Sequence, residues 1–102
     1  MAILEEPIKE PLKLKNFVDG EWVAASGETD EVLNPATGRA IATVGYSTKN
    51  DVNEAVAMAQ EAFDDWRRTP PLERVRCLFR LKELLEDNFE ELSRIQTMEH
   101  GK

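Results

Sequence analysis

Apolar side chains at Val52, Ala55, Val56, Ala59, Ala62, Phe63 and Trp66 recur at intervals of three, four and seven, the period of one face of an α-helix. This stripe predicts a helix from about 49 to 66. Thr48 stands three residues before Asp51, so its hydroxyl can accept from a first-turn amide while the carboxylate sits at the positive end of the helix. Thr69-Pro70-Pro71 ends that helix and opens another, because proline lacks the amide hydrogen that a first turn leaves unpaired anyway. The second helix is expected over about 71–87. Its stripe is Leu72, Val75, Leu78, Phe79, Leu81, Leu84 and Leu85, with Arg74, Arg76, Lys82, Glu83 and Glu86 placed off it. Asn88 followed by Glu91 repeats the capping pattern, predicting a break and a third helix over about 89–99. That helix should turn Leu92, Ile95 and Met98 inward and end at Gly101. Nearly half of the chain is thus amphipathic rod and needs a surface to lie against.

Upstream of Tyr46 the pattern changes. Asp19-Gly20 between Phe17-Val18 and Trp22-Val23 predicts a tight hairpin, since a type I′ turn needs positive φ at both central residues. The polar stretch 24–30, with Ser26-Gly27, reads as a loop. Glu31-Val32-Leu33, the turn Asn34-Pro35-Ala36-Thr37-Gly38 and the β-branched run 39–45 form a second hairpin. Residues 1–13 hold Pro7 and Pro11 without a sustained period and read as an N-terminal arm. The expected fold class is α+β: two β-hairpins followed by two or three amphipathic helices.

A chain of 102 residues is one small domain at most. Its net charge of −7 repels phosphate backbones and anionic lipid surfaces, which argues against nucleic acid and membrane as partners. No apolar run approaches the ~20 residues of a membrane span, and Glu5-Glu6 directly after Ile3-Leu4 leave no signal-peptide core. A cytoplasmic protein is expected. Cys77 is the single cysteine, which permits neither an internal disulfide nor a thiolate metal cage.

The reactive side chains are few. Cys77 and His100 could form a thiol–imidazole pair, but they fall on different helical segments and nothing beside them supplies an oxyanion hole, so packing is the favoured role for Cys77 and helix-end capping for His100. Glu54, Glu61, Asp64 and Asp65 share one helix and read as its solvated face. Gly20, Gly27, Gly38 and Gly45 are scattered and build no phosphate-cradling loop. Trp22, Phe63 and Trp66 are read as core packing groups in preference to a base-stacking platform. No catalytic, cofactor-binding or metal residue is assigned.

Asn16-Phe17-Val18-Asp19-Gly20-Glu21-Trp22, then Asn34-Pro35-Ala36-Thr37-Gly38, then Asp51-Val52 through Ala62-Phe63 to Trp66, resemble the opening of an aldehyde dehydrogenase. Arg74 with the Leu-rich segment after it, closing in Glu99-His100-Gly101-Lys102, is similar to that family's second long helix and its Glu-x-Gly-Lys. The likeness covers about residues 14–102. Thr69-Pro70-Pro71-Leu72-Glu73-Arg74 and Phe79-Arg80-Leu81-Lys82 look most like the CoA-acylating methylmalonate-semialdehyde dehydrogenase branch. The resemblance implies an N-terminal, incomplete portion of a nucleotide-binding domain with a Rossmann-like α/β fold, in an enzyme several times longer that oxidises an aldehyde with NAD(P). In that family a cysteine thiolate attacks the aldehyde, hydride passes to nicotinamide, and the thioester goes to water or to coenzyme A. The nucleophile, the general base and the dinucleotide loop lie in later stretches, and Cys77 does not match the nucleophile's motif. The isolated chain is therefore expected to be inactive and to bind no NAD. Some members hold a monovalent cation at positions matching Val32, Leu33 and Glu99, and a helix-end role for Glu99 stands beside that reading. The implied partner is the remainder of the dehydrogenase, itself usually a homo-oligomer. A non-catalytic module that docks on a full-length subunit is the rival reading. Either way Trp66, Leu78, Leu81 and Leu85 should form an exposed apolar patch.

Overall fold

A computed structural model describes residues 7–101, so the beginning of the arm with Ile3, Leu4, Glu5 and Glu6, and the closing Lys102, lie outside the described residues. Five short strands precede three helices: β1 (Leu12–Lys13), β2 (Asn16–Val18), β3 (Glu21–Val23), β4 (Thr29–Leu33), β5 (Ala40–Gly45), α1 (Lys49–Trp66), α2 (Pro71–Asp87) and α3 (Phe89–His100). β2 and β3 pair antiparallel, with Phe17 opposite Trp22. Asp19 at φ 51° and Gly20 at φ 76° are both left-handed, the geometry of the expected type I′ turn. The Phe17 and Trp22 rings meet at 4.9 Å.

β4 and β5 form the second hairpin, with an irregularity between Val32 and Leu33 that marks the approach to the turn. The turn closes on Asn34, a buried polar residue whose Oδ1 accepts from the Ala36 amide at 2.9 Å and whose carbonyl accepts from the Gly38 amide at 2.8 Å. Gly38 adopts φ 72°, and a side chain there would be strained.

The arm is not free of the fold. Leu12 and Lys13 pair in parallel with Ala42 and Thr43, giving a mixed sheet in the order β1-β5-β4. Two residues carry no readable period, and it is the open edge of β5 that recruits them. Ile8 of the arm joins Ile41 of β5 and Met98 of α3 in the buried core, with Val32 and Ile95 packed against it. α3 therefore covers one face of the β4–β5 hairpin. At its end Gly101 takes φ 74° as a left-handed cap, and a Cβ there would stand 3.2 Å from Pro35.

The rest is open. The radius of gyration is 17.6 Å, against about 13 Å for a compact chain of about 100 residues. Accessible surface totals 8911 Å², whereas a compact monomer of this mass exposes about 5,800 Å². Neither α1 nor α2 has a buried residue. Trp22, Phe63 and Trp66, read above as core groups, are exposed, as is Leu92, which was expected to point inward. Cys77, expected to pack, is also exposed. The helical period places these side chains on apolar faces; whether a face is covered depends on polypeptide further off. Asn88 is a correction of another kind. It makes no side-chain cap to α3, and its Nδ2 donates back to the Leu84 carbonyl at 2.8 Å, so it closes α2.

Candidate functional site

Two features concentrate polar and apolar chemistry. The first is a clasp between the 24–28 loop and the start of α1. Thr48 caps the helix as expected, its Oγ1 accepting from the Asp51 amide at 3.3 Å, and the structure adds the return bond, from the Thr48 amide to Asp51 Oδ2 at 2.9 Å. The structure adds Ser26, whose amide donates to Asp51 Oδ2 at 2.9 Å and whose Oγ lies 2.8 Å from both carboxylate oxygens. Ser26 was missed because its partner is distant in sequence and a loop serine carries no spacing signal. Beside the clasp, a cavity of about 390 Å³ lies between β2–β3 and α1, lined by Asn16, Val18, Val23, Asp51, Glu54 and Met58 among others.

Donation from the Ser26 amide, then from the Thr48 amide and the Ser26 hydroxyl, holds the Asp51 carboxyl at about 2, below its ordinary 3.8. Since the folded value is the lower one, the clasp stabilises above pH 3.8 and loses its contribution as pH falls from 3.8 towards 2. An NMR carboxyl titration should place Asp51 near 2 in the chain and raise it only part of the way towards 3.8 in Ser26→Ala, which removes the hydroxyl and keeps both amides. A wild-type midpoint near 3.8 would mean that the loop is not tied to the helix.

The second feature is the leucine face of α2. Leu78, Leu81, Leu85 and the first residue of α3, Phe89, line a groove of about 270 Å³, with Lys82 and Glu86 at its side. Lys82 Nζ and Glu86 Oε1 pair at 2.8 Å. The leucines are 64%, 51% and 49% exposed, so the leucine part of the expected apolar patch is present on α2, and Trp66 of α1 is exposed as well. Arg74 was placed off the α2 stripe, yet it precedes Leu78 by four residues, Leu81 by seven and Leu85 by eleven, which puts it in line with them. It is half-buried, and its Nε is buried with no hydrogen-bond partner among the described residues.

The other candidates stay apart. Cys77 is exposed on α2 and His100 lies in the last turn of α3. Glu54, Glu61, Asp64 and Asp65 are exposed on α1, as their spacing suggested. Val32 is half-buried and packs towards the core, while Leu33 and Glu99 are exposed. The residues present do not fit a nicotinamide dinucleotide. The left-handed glycines sit at a hairpin tip, a strand turn and a helix C-terminus, and at the start of α1 the Thr48 amide already donates to the Asp51 carboxylate and the Asp51 amide to the Thr48 hydroxyl. The cavity beside the clasp is flanked by Asp51 and Glu54, which would repel a pyrophosphate.

Comparison with known proteins decides the relationship: the pattern of the aldehyde dehydrogenase family matches residues 22–102. The chain belongs to that family. Malonate-semialdehyde dehydrogenase of Halalkalibacterium halodurans is 50% identical over 91 residues, which are 88% of this chain and 19% of the relative. Among solved structures, methylmalonate-semialdehyde dehydrogenase from Oceanimonas doudoroffii superposes with a TM-score of 0.81 at 37% identity, covering 87% of this chain and 18% of that one. A methylmalonate-semialdehyde dehydrogenase from Sinorhizobium meliloti, complexed with NAD, gives 0.79 at 32% identity over 88% of this chain and 18% of that one. This aldehyde dehydrogenase chain thus spans about a fifth of the length of the relatives it matches. Its strands and three helices have the arrangement of the N-terminal part of the aldehyde dehydrogenase fold. Among the described residues, no helix is long and apolar enough to cross a membrane.

Proposed function

We propose that this chain is the N-terminal portion of the nucleotide-binding domain of a cytoplasmic, NAD(P)-dependent malonate- or methylmalonate-semialdehyde dehydrogenase, in which the acyl group passes to coenzyme A. The observation that carries this reading is the 50% identity to a malonate-semialdehyde dehydrogenase across 88% of the chain. The chain's own part is structural. Its hairpins and helices present apolar faces that the remaining polypeptide covers, and the nucleophile and dinucleotide site belong to that polypeptide. The excess surface, about 3,000 Å² over a compact monomer, is of the size buried in permanent assemblies and supports this division of labour.

The test is a fusion of the 102-residue chain to the remaining four fifths of the Halalkalibacterium halodurans relative. The fusion is expected to be soluble and to reduce NAD with malonate semialdehyde and coenzyme A. The isolated chain is expected to show no turnover above blank. An insoluble or inactive fusion, or turnover by the chain alone, would refute the proposal.

A further inference from the structure

We infer that the outer edge of β4 is closed to a strand of a second copy of this chain by a guard of two side chains, Asp30 braced by Tyr46. β4 ends the three-stranded sheet and, at five residues, is the longest strand with an unpaired side; β1 has two residues, and β2 and β3 have three each. An edge of that length offers free amides and carbonyls to further strands unless something blunts it. The register sets Asp30 opposite Val44 and Glu31 opposite Thr43, and the Tyr46 amide donates to the Glu28 carbonyl at 2.8 Å. Bonded and non-bonded pairs alternate along an antiparallel ladder, so the backbone of Asp30, like that of Glu28, faces β5, and that of Glu31 faces outwards. The outward amide is already taken: Glu31 N–H donates to Asp30 Oδ1 at 2.8 Å. The second carboxylate oxygen accepts from the Tyr46 hydroxyl at 2.7 Å. The tyrosine bond first, and the Glu31 amide after it, hold the Asp30 carboxyl below its ordinary range, while the same contact raises the Tyr46 phenol. A strand arriving at β4 must displace Asp30 before it can bond Glu31. A second copy would also bring its own Glu28, Asp30 and Glu31 against these acids. The guard is separate from the helix faces and works whatever covers them.

Hydrogen exchange of the Glu31 amide, followed by NMR at rising concentrations of the 102-residue chain, tests the guard in Asp30→Ala, Asp30→Asn and Tyr46→Phe. The Tyr46 amide, bonded to the Glu28 carbonyl, reports in each variant whether the β4–β5 hairpin is intact. In the wild-type chain and in Asp30→Asn, which keeps an acceptor oxygen, Glu31 exchange should not change with concentration. In Asp30→Ala it should be about five-fold faster in dilute solution, for the loss of one hydrogen bond, and should then slow as concentration rises and edges pair. Tyr46→Phe should fall between. Association through the helix faces leaves the Glu31 amide as it was, so it does not mimic this result. Wild-type protection that grows with concentration shows an open edge and overturns the inference. An Asp30→Ala chain that matches wild type at every concentration overturns it too, as does Asp30→Asn behaving like Asp30→Ala, which would assign the effect to charge alone. If Asp30→Ala unties the hairpin, Tyr46→Phe carries the test, and a Glu31 amide there indistinguishable from wild type is the overturning result.

Discussion

Leu81→Asp combined with Leu85→Asp is expected to abolish activity and assembly of the fused enzyme while leaving the isolated chain's helicity unchanged. In the chain alone both side chains are about half exposed, and surface changes of this kind usually stay within about 0.5 kcal/mol. Once the face is covered the same changes remove the transfer energy of two leucines, about 1.5–3 kcal/mol each. They also leave two carboxylates with no partner in an apolar contact, which costs several kcal/mol more. The total approaches the 5–15 kcal/mol by which a domain is stable at all. Gel filtration and dehydrogenase activity of the fusion, beside circular dichroism of the isolated chain, read the two halves of this expectation. A double variant that assembles and turns over normally would show that α2 faces solvent in the complete enzyme.

Gly27→Ala is expected to open the junction between the 24–28 loop and the end of β5. The Gly27 amide donates to the Tyr46 carbonyl at 2.9 Å, and the Tyr46 amide donates to the Glu28 carbonyl at 2.8 Å. A Cβ at position 27 would run into the Tyr46 carbonyl oxygen, a backbone atom that cannot swing aside. Overpacking of this sort costs about 1–3 kcal/mol, and each lost hydrogen bond adds about 1 kcal/mol. Hydrogen exchange should show the Tyr46 amide losing protection, and the melting temperature should fall by about 4–8 °C for each kcal/mol. Gly20→Ala is the control: nothing stands within 4 Å of a Cβ there, so only the left-handed φ of 76° is strained, at about 1–2 kcal/mol. Equal effects at the two positions would refute the steric account.

The features legible in the sequence were those set by near neighbours. Thr48 and Asp51 begin α1, Pro71 begins α2, Gly101 ends α3, and Asp19-Gly20 shapes the first hairpin, because each signal and its structural effect lie within a few residues. Contacts across the fold were not legible. Ile8 carries no period that marks it as core, Ser26 gives no hint of Asp51, and Gly27 reads as an ordinary loop glycine until Tyr46 is placed beside it. Arg74 is an intermediate case. Its place in the leucine line follows from counting residues, but that its Nε is buried and unbonded emerges only from the coordinates. Trp66, Leu92 and Cys77 show the converse: a helical period identifies an apolar face, and only the covering partner determines whether it is inside.

The small cluster of Ile8, Ile41 and Met98 draws the two ends of the chain together through the middle strand. Such a closure has a high contact order, so it is slow relative to the helices, which form locally within about a microsecond. During synthesis α1 and α2 would therefore be wound and waiting while the sheet stays unsealed until Met98 has emerged. The order of events places the formation of the apolar faces ahead of any core that could hold them in register, and the nascent segment is most exposed to wrong associations in that interval.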